Sequence, residues 1–166
     1  MTIHTEHPFA EADDPVRRFR GRLGGTVAVA CAGEGADRAG LTVTSFVVAH
    51  GDPAHLLVLV DPDSDLADAV EESGRLAVSL LTWEHRDLAE AFAGRAPAPG
   101  GMFRLGTWEQ TEWGPVLADG AGWAAGPVVA RTEVGWSLQL DAEVARVVVR
   151  DGEPLVHRRG RYQRPG

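Results

Sequence analysis

The apolar residues of this chain come in short runs cut apart by turn residues, and that punctuation limits the folds open to it. The longest runs, Val27 to Ala32 and Leu56 to Val60, are about half a dozen residues. Between the runs stand Gly33 to Asp37, Asp52-Pro53, Ser73-Gly74, the RAPAPGG stretch at 95–101 and Asp151-Gly152. Short Val-rich runs bounded by Gly, Pro and Asp read as β-strands at hairpin spacing. None approaches the roughly 18 residues of a membrane-spanning helix. At 166 residues, 44% hydrophobic and 24% charged, the chain suits one globular domain.

Charge removes further classes. The balance is 16 Lys+Arg against 24 Asp+Glu, a net −8, which argues against a nucleic-acid backbone as partner. The chain has no Lys and no Asn, so Schiff-base and phosphate-loop lysines are excluded. The single Cys31 lies inside an apolar run and reads as a buried small hydrophobe, with no disulfide or thiolate metal site. Arginines cluster at both ends, at 17, 18, 20 and 22 and at 158, 159, 161 and 164. They read as solvated faces offsetting the acidic middle, or as an anion site, since guanidinium forks match phosphate oxygens. The N-terminus has neither a basic start nor an apolar stretch, so no signal peptide is expected and a cytoplasmic location is.

Residues 1–13 are polar and read as a flexible N-terminal segment ahead of a single domain over 14–162. Asp14-Pro15 has the form of an N-cap and first helical position, with Val16, Phe19 and Leu23 at helical spacing and Gly24-Gly25 as the stop. Strands are expected at Thr26 to Ala32, Leu41 to Ala49, His55 to Asp61 and Leu76 to Leu81. On the second, alternation puts Thr42, Thr44 and Phe46 on one face and Val43, Ser45 and Val47 on the other. Helices are expected from Ser64 to Ser73 and from Glu84 to Ala93. Met102 to Trp113 has no clear period. The last third reads as long strands, Gly122 to Val134 and Trp136 to Arg150, with a hairpin turn at Asp151-Gly152 and a return over Pro154 to Tyr162. Leu138, Leu140, Ala142 and Val144 share a face with Trp136. Six or seven strands and three short helices favour a closed antiparallel barrel over a Rossmann sheet.

Several motifs fail on inspection. Gly33-Glu-Gly35-Ala-Asp37 begins like a dinucleotide fingerprint but lacks the third glycine and precedes a strand, so it is a hairpin turn. His50 and His55 flank a turn beside Asp52 without a further ligand at metal spacing, and no metal site is expected. There is no G-x-S-x-G elbow and no H-E-x-x-H. The five tryptophans are too scattered for an aromatic cage.

The segment Arg38-Ala-Gly-Leu-Thr-Val-Thr-Ser-Phe46 is different, because it crowds Thr42, Thr44 and Ser45 into an otherwise apolar strand. Hydroxyls and backbone N–H groups there can hold an anion without lysine. It resembles the signature of the flavin reductase family, the short-chain FMN-binding split barrels that supply reduced flavin to two-component monooxygenases. The family's order continues through Leu56 to Val60, Asp61 to Ser64, Ser73 to Val78, Asp87 to Gly94, Pro115 to Leu117 and Pro154 to Tyr162, so the resemblance covers about residues 15–162.

The resemblance implies a mainly β chain with short helices, an FMN-binding split β-barrel of Greek-key type, and a homodimer with flavin near the interface. It implies that Thr42, Val43, Thr44 and Ser45 contact the isoalloxazine edge and the ribityl-phosphate. It puts Asp61 and Ser64 on the next flavin-side loop, with Ser64 holding phosphate by its hydroxyl and by a helix N-terminus. Ser79 falls where the family often has Asn, and Phe103 matches an aromatic bordering the pocket. The implied activity is NAD(P)H-dependent flavin reduction, with FMN or FAD as acceptor, NADH or NADPH as donor, and a partner monooxygenase receiving the product. Positioning, not a protein general base, is the chemistry required.

Among the departures from the family, one bears on the nicotinamide. Where its reductases carry Gly-Asp-His on the nicotinamide side, this chain has Gly135-Trp136-Ser137. Trp136 offers a stacking surface and Ser137 a hydrogen bond; equally, Trp136 fills the nicotinamide site. The second outcome leaves a flavin-binding carrier, sensor or accessory protein with little reductase activity. A relative using a deazaflavin or haem is a third reading.

Overall fold

Asp14 caps the first helix as its sequence position suggests: its carboxylate accepts from the Val16 amide at 3.0 Å, and Pro15 follows. The computed structural model describes residues 14–165, so the segment expected to be flexible, 1–13, lies outside it. Three helices fall where expected: α1 (Pro15–Leu23), α2 (Asp65–Ser73) and α3 (Arg86–Phe92).

The strands are β1 (Gly25–Thr26), β2 (Ala28–Ala32), β3 (Ala39–Val43), β4 (Phe46–Ala49), β5 (His55–Val60) and β6 (Arg75–Leu80). They continue as β7 (Trp108–Thr111), β8 (Gly114–Leu117), β9 (Gly122–Val134), β10 (Ser137–Glu143), β11 (Arg146–Val149), β12 (Val156–Arg158) and β13 (Arg161–Gln163). The main sheet runs β3-β2-β6-β9-β10-β5-β4, with β11 also on β9, and all its pairs are antiparallel. Its two edge strands, β3 and β4, are separated in the chain by Thr44 and Ser45 alone. A sheet whose first and last strands meet within two residues has to curl, and this one curls into a half-barrel. Beside it lie a three-stranded sheet, β1-β12-β13, and a two-stranded one, β7-β8.

Several expected strands are shorter or differently paired. Leu41 to Ala49 breaks at the Thr44-Ser45 bend. Trp136 to Arg150 breaks between β10 and β11, where the Val144 amide turns to the Ala54 carbonyl and the Ala145 amide to Ala125. Gly126 makes that break possible, since a Cβ there would sit 1.7 Å from the Glu143 carbonyl oxygen. Asp151-Gly152 is no hairpin turn: the returning segment pairs with β1 instead of β11, because Leu155 is drawn into a backbone ring with Val27 and Leu81. The ambiguous Met102 to Trp113 region yields a single 3-10 turn and β7.

Alternation on the strands builds two large cores, with a smaller third cluster at Ala77, Val116, Trp123 and Ala125. Ala28, Ala30, Leu41, Val43, Val58, Val60, Val78, Leu138 and Leu140 line the inside of the curl, closed by Leu66 and Val70 of α2. Val29 and Cys31 face outward beneath Leu88 and Phe92 of α3 and Leu117 of β8. Each fully buried Leu or Val contributes about 1.5–3 kcal/mol. Gly40 lets α3 approach, since a Cβ there would meet the Phe92 ring at 2.6 Å. Burial pushes the Cys31 thiol well above its ordinary range, consistent with an inert core residue.

Candidate functional site

The hydroxyl-bearing segment does not behave as one strand face. Thr42 points outward, while Phe46 packs with the inner core beside Val43. The expected shared face of Thr42, Thr44 and Phe46 is therefore broken, because the two-residue bend reverses the alternation.

Sheet register then assembles one end of the half-barrel. The Leu59 amide donates to the Ser45 carbonyl at 2.9 Å, and Phe46 stands opposite Val58. On the other side of β5, Val60 stands opposite Leu138. The bend, the Asp61 to Ser64 loop and the β9–β10 turn at Gly135-Trp136 therefore meet at one end. Gly135 takes φ 57 in that two-residue turn, which glycine adopts without strain. Trp136 stands in the turn and is 61% exposed.

Hydrogen bonding separates the candidate residues. Thr42 is buried, and its hydroxyl donates to the Ala89 carbonyl of α3 at 2.7 Å. Ser79 is also buried, and its hydroxyl accepts from the Leu117 amide at 3.0 Å. The Ser64 hydroxyl donates to the Asp61 carbonyl at 2.7 Å and accepts from the Ala67 amide at 3.2 Å, so it caps α2. Its proton is committed, and the first turn of α2 already carries Asp65 and Asp68. One Asp61 oxygen accepts from the Asp63 amide at 2.9 Å, which shapes the same loop. By contrast, the Thr44 and Ser45 hydroxyls engage no other group among the described residues, and Thr44 is exposed. Ser137 likewise keeps its hydroxyl open at the start of β10.

Phe103 lies on the outer layer, edge-on to Phe92 at 5.1 Å and to Trp108 at 5.0 Å, with the Arg38 guanidinium 4.6 Å above its ring. It is held in an aromatic cluster over α3, with Thr42 rather than with the bend. The register thus gathers Thr44, Ser45, Asp61, Ser64, Trp136 and Ser137. Thr42, Ser79 and Phe103 stand behind them, and Val43 lies in the inner core.

Three arrangements escaped the sequence reading. Tyr162 donates to Glu90 at 2.6 Å, and Arg95 reaches the same carboxylate at 2.7 Å; the Arg95 bond holds the Glu90 carboxyl below its usual range. Trp83 carries Arg86 at 3.7 Å and Arg164 at 4.6 Å beside an open groove with Thr82 and Glu153. The two arginine-rich ends, remote in sequence, meet where the Arg159 amide donates to the Gly21 carbonyl of α1 at 3.2 Å. The signals were the Tyr after a Gly-Arg pair and the paired Arg clusters, which carry no pairing information by themselves. No group of three or more His, Cys, Asp or Glu suited to a metal occurs among the described residues, and His55 instead pairs with Asp141 at 2.5 Å. No described helix is long and apolar enough to cross a membrane.

Comparison with known proteins gives a consistent answer. The model of the flavin reductase like domain family matches residues 20–166. The NADH-dependent FMN reductase AsuE2 of Streptomyces nodosus subsp. asukaensis is 33% identical over 88% of this chain and 81% of its own length. A 4-hydroxyphenylacetate 3-monooxygenase reductase component of Pseudomonas aeruginosa is 28% identical over 85% of each. Among solved structures, flavin reductase PheA2 in its native state superposes with a TM-score of 0.83 at 22% identity, covering 93% of this chain and 99% of its own.

Proposed function

The chain belongs to the flavin reductase like domain family, and from that premise we propose that it is an NADH-dependent flavin reductase that takes FMN at the end of the half-barrel formed by the Thr44-Ser45 bend, the Asp61 to Ser64 loop and the Trp136 turn. The observation that carries this reading is the division among the hydroxyls. Those of Thr42, Ser64 and Ser79 are spent on backbone groups, whereas those of Thr44, Ser45 and Ser137 stand open together at one end. Such a set of small donors and acceptors suits the polar edge of a flavin ring.

Bound flavin supplies the hydride-accepting chemistry, and the chain's own residues supply position. Thr44 and Ser45 hold the polar edge, Ser64 fixes the adjoining loop by capping α2, and Trp136 presents its indole to the nicotinamide with Ser137 beside it. Thr42 and Ser79 act from behind by pinning the sheet to α3 and β8. The choice of FMN and NADH over FAD and NADPH is supported by the name of the Streptomyces relative. A monooxygenase as consumer of the reduced flavin is supported by that of the Pseudomonas relative. The same proposal treats 14–162 as one domain acting in the cytoplasm as a homodimer. Val47 and Val48 on the β4 edge, each 61% exposed, and Val134 beside the Trp136 turn support an apolar surface that a second copy covers.

The test mixes the purified chain with FMN or FAD and follows oxidation of NADH and NADPH. Sustained NADH oxidation that depends on added FMN is the expected result. Tight flavin binding without oxidation would contradict it and favour the carrier reading.

A further inference from the structure

Two observations converge on the Thr44-Ser45 bend from different directions. On one side, α3 holds β3 directly, through the Thr42 hydroxyl on the Ala89 carbonyl, two residues before the bend. On the other, β1 runs against the bend itself. A Cβ on Gly25 would lie 3.2 Å from the Thr44 carbonyl oxygen and 3.4 Å from Thr44 Cβ, so the two backbones are in contact.

β1 is two residues long, and β12 and β13 three each. A sheet this small has no independent stability, so its position is set by whatever anchors it. Gly25, His157 and Tyr162 form one row across it. At the far end of the row the Tyr162 hydroxyl donates to Glu90, the residue after Ala89, at 2.6 Å. Arg95 holds that carboxylate in place at 2.7 Å. The Tyr162 and His157 rings meet edge to face at 5.2 Å, which stiffens the row between anchor and bend. Adjacent residues of one turn of α3 thus fix both sides of the bend.

We propose that the C-terminal hairpin β12–β13 is a positioning element for the flavin site, setting the place of the Thr44-Ser45 bend through Gly25 and locked by the Tyr162–Glu90 hydrogen bond. The inference rests on the reading that flavin binds at that bend. Tyr162 is a positioning residue: it acts through His157 and Gly25 and touches neither substrate. Holding two hydroxyls to within a fraction of an ångström is the kind of preorganisation that governs affinity more than the chemical step.

The test compares the full chain with Tyr162→Phe, which keeps the ring and removes only the hydroxyl, and with Gly25→Ala, which crowds Thr44 directly. Gly21→Ala, where a methyl meets open space, serves as control. The dissociation constant for FMN is read by flavin fluorescence, alongside kcat at saturating FMN and amide exchange at Thr44 and Ser45 in the flavin-free protein. Losing a hydrogen bond to a charged acceptor upstream of the site is expected to weaken FMN binding about three- to tenfold. Both Tyr162→Phe and Gly25→Ala should show that loss together with faster exchange at the bend, while kcat stays within about twofold of wild type, since positioning here acts on affinity. Gly21→Ala should match wild type in all three. Unchanged FMN affinity in Tyr162→Phe, with a wild type that binds FMN, would overturn the inference alone, whatever Gly25→Ala does. A wild type that binds no FMN would overturn the reading of the bend and this inference with it.

Discussion

Leu138 of β10 stands directly opposite Val60 of β5, with Leu140 opposite Val58 one step further along the same face. This register brings Trp136, which stands in the sharp turn at the end of a thirteen-residue strand, to the loop that opens α2. A shift of one residue would turn Leu138 and Leu140 to solvent and remove them from the inner core. The burial of those leucines therefore also fixes which loops become neighbours.

Trp136→Ala is expected to raise the KM for NADH about two- to tenfold, the range set by an aromatic stacking contact. FMN affinity should fall less than that, because the Thr44 and Ser45 hydroxyls that hold the flavin edge remain in place. Steady-state kinetics with each substrate varied in turn checks this; a fall in KM for NADH would mean that the indole obstructs the nicotinamide.

Ser79→Ala strands the Leu117 amide in the core and is expected to cost about 1–3 kcal/mol. Thr42→Val should cost less, about 0.5–1.5 kcal/mol, because the Ala89 carbonyl keeps its helical bond from the Ala93 amide. Thermal unfolding gives the ranking. FMN affinity of Ser79→Ala should remain within about twofold of wild type if the residue works only from behind the site.

Gly126→Ala puts a methyl group 1.7 Å from the Glu143 carbonyl oxygen, a backbone atom with no rotamer to move. The β10–β11 break must then open, and the variant is expected to lose several kcal/mol, as overpacking against rigid groups does. Circular dichroism and yield of soluble protein are the readouts, with Gly74→Ala, where a methyl meets open space at a left-handed position, expected to cost much less.

The α3–hairpin cluster contributes to the pH dependence of stability at both ends. Burial holds His157 below its ordinary 6.5, so as pH falls through that value the unfolded chain takes up a proton before the folded one does, and stability drops. Glu90, lowered by the Arg95 hydrogen bond, adds a further loss as pH falls through 4.5. Burial, and then the bond to Glu90, push Tyr162 up to about 12, so stability also declines as pH rises above the ordinary 10.0. Denaturant midpoints measured across pH should plateau between the two limbs, and Tyr162→Phe should shrink the alkaline limb to the part owed to the buried Cys31 thiol, which is likewise held protonated.

What the sequence disclosed was local. Asp14-Pro15, Ser64 and Gly74 mark helix ends because caps act within four residues, and all three do so here. The alternation of Leu138, Leu140 and Ala142 is likewise visible in the chain and holds in the sheet. The bend at Thr44-Ser45 was not visible, since a β-branched run reads as continuous until the two edges of the sheet demand closure. Nor was the engagement of the Thr42 and Ser79 hydroxyls, whose backbone partners lie 47 and 38 residues away. The return of Pro154 to Tyr162 onto β1 instead of β11 depends on Leu155 entering the second core, a long-range packing choice that no local pattern records.

Crystals grown with FMN test the account most directly. It predicts electron density for the ring against Thr44 and Ser45, beside the Asp61 to Ser64 loop and the Trp136 turn. Density for FMN in the Trp83–Arg164 groove, with the bend bare, would contradict it.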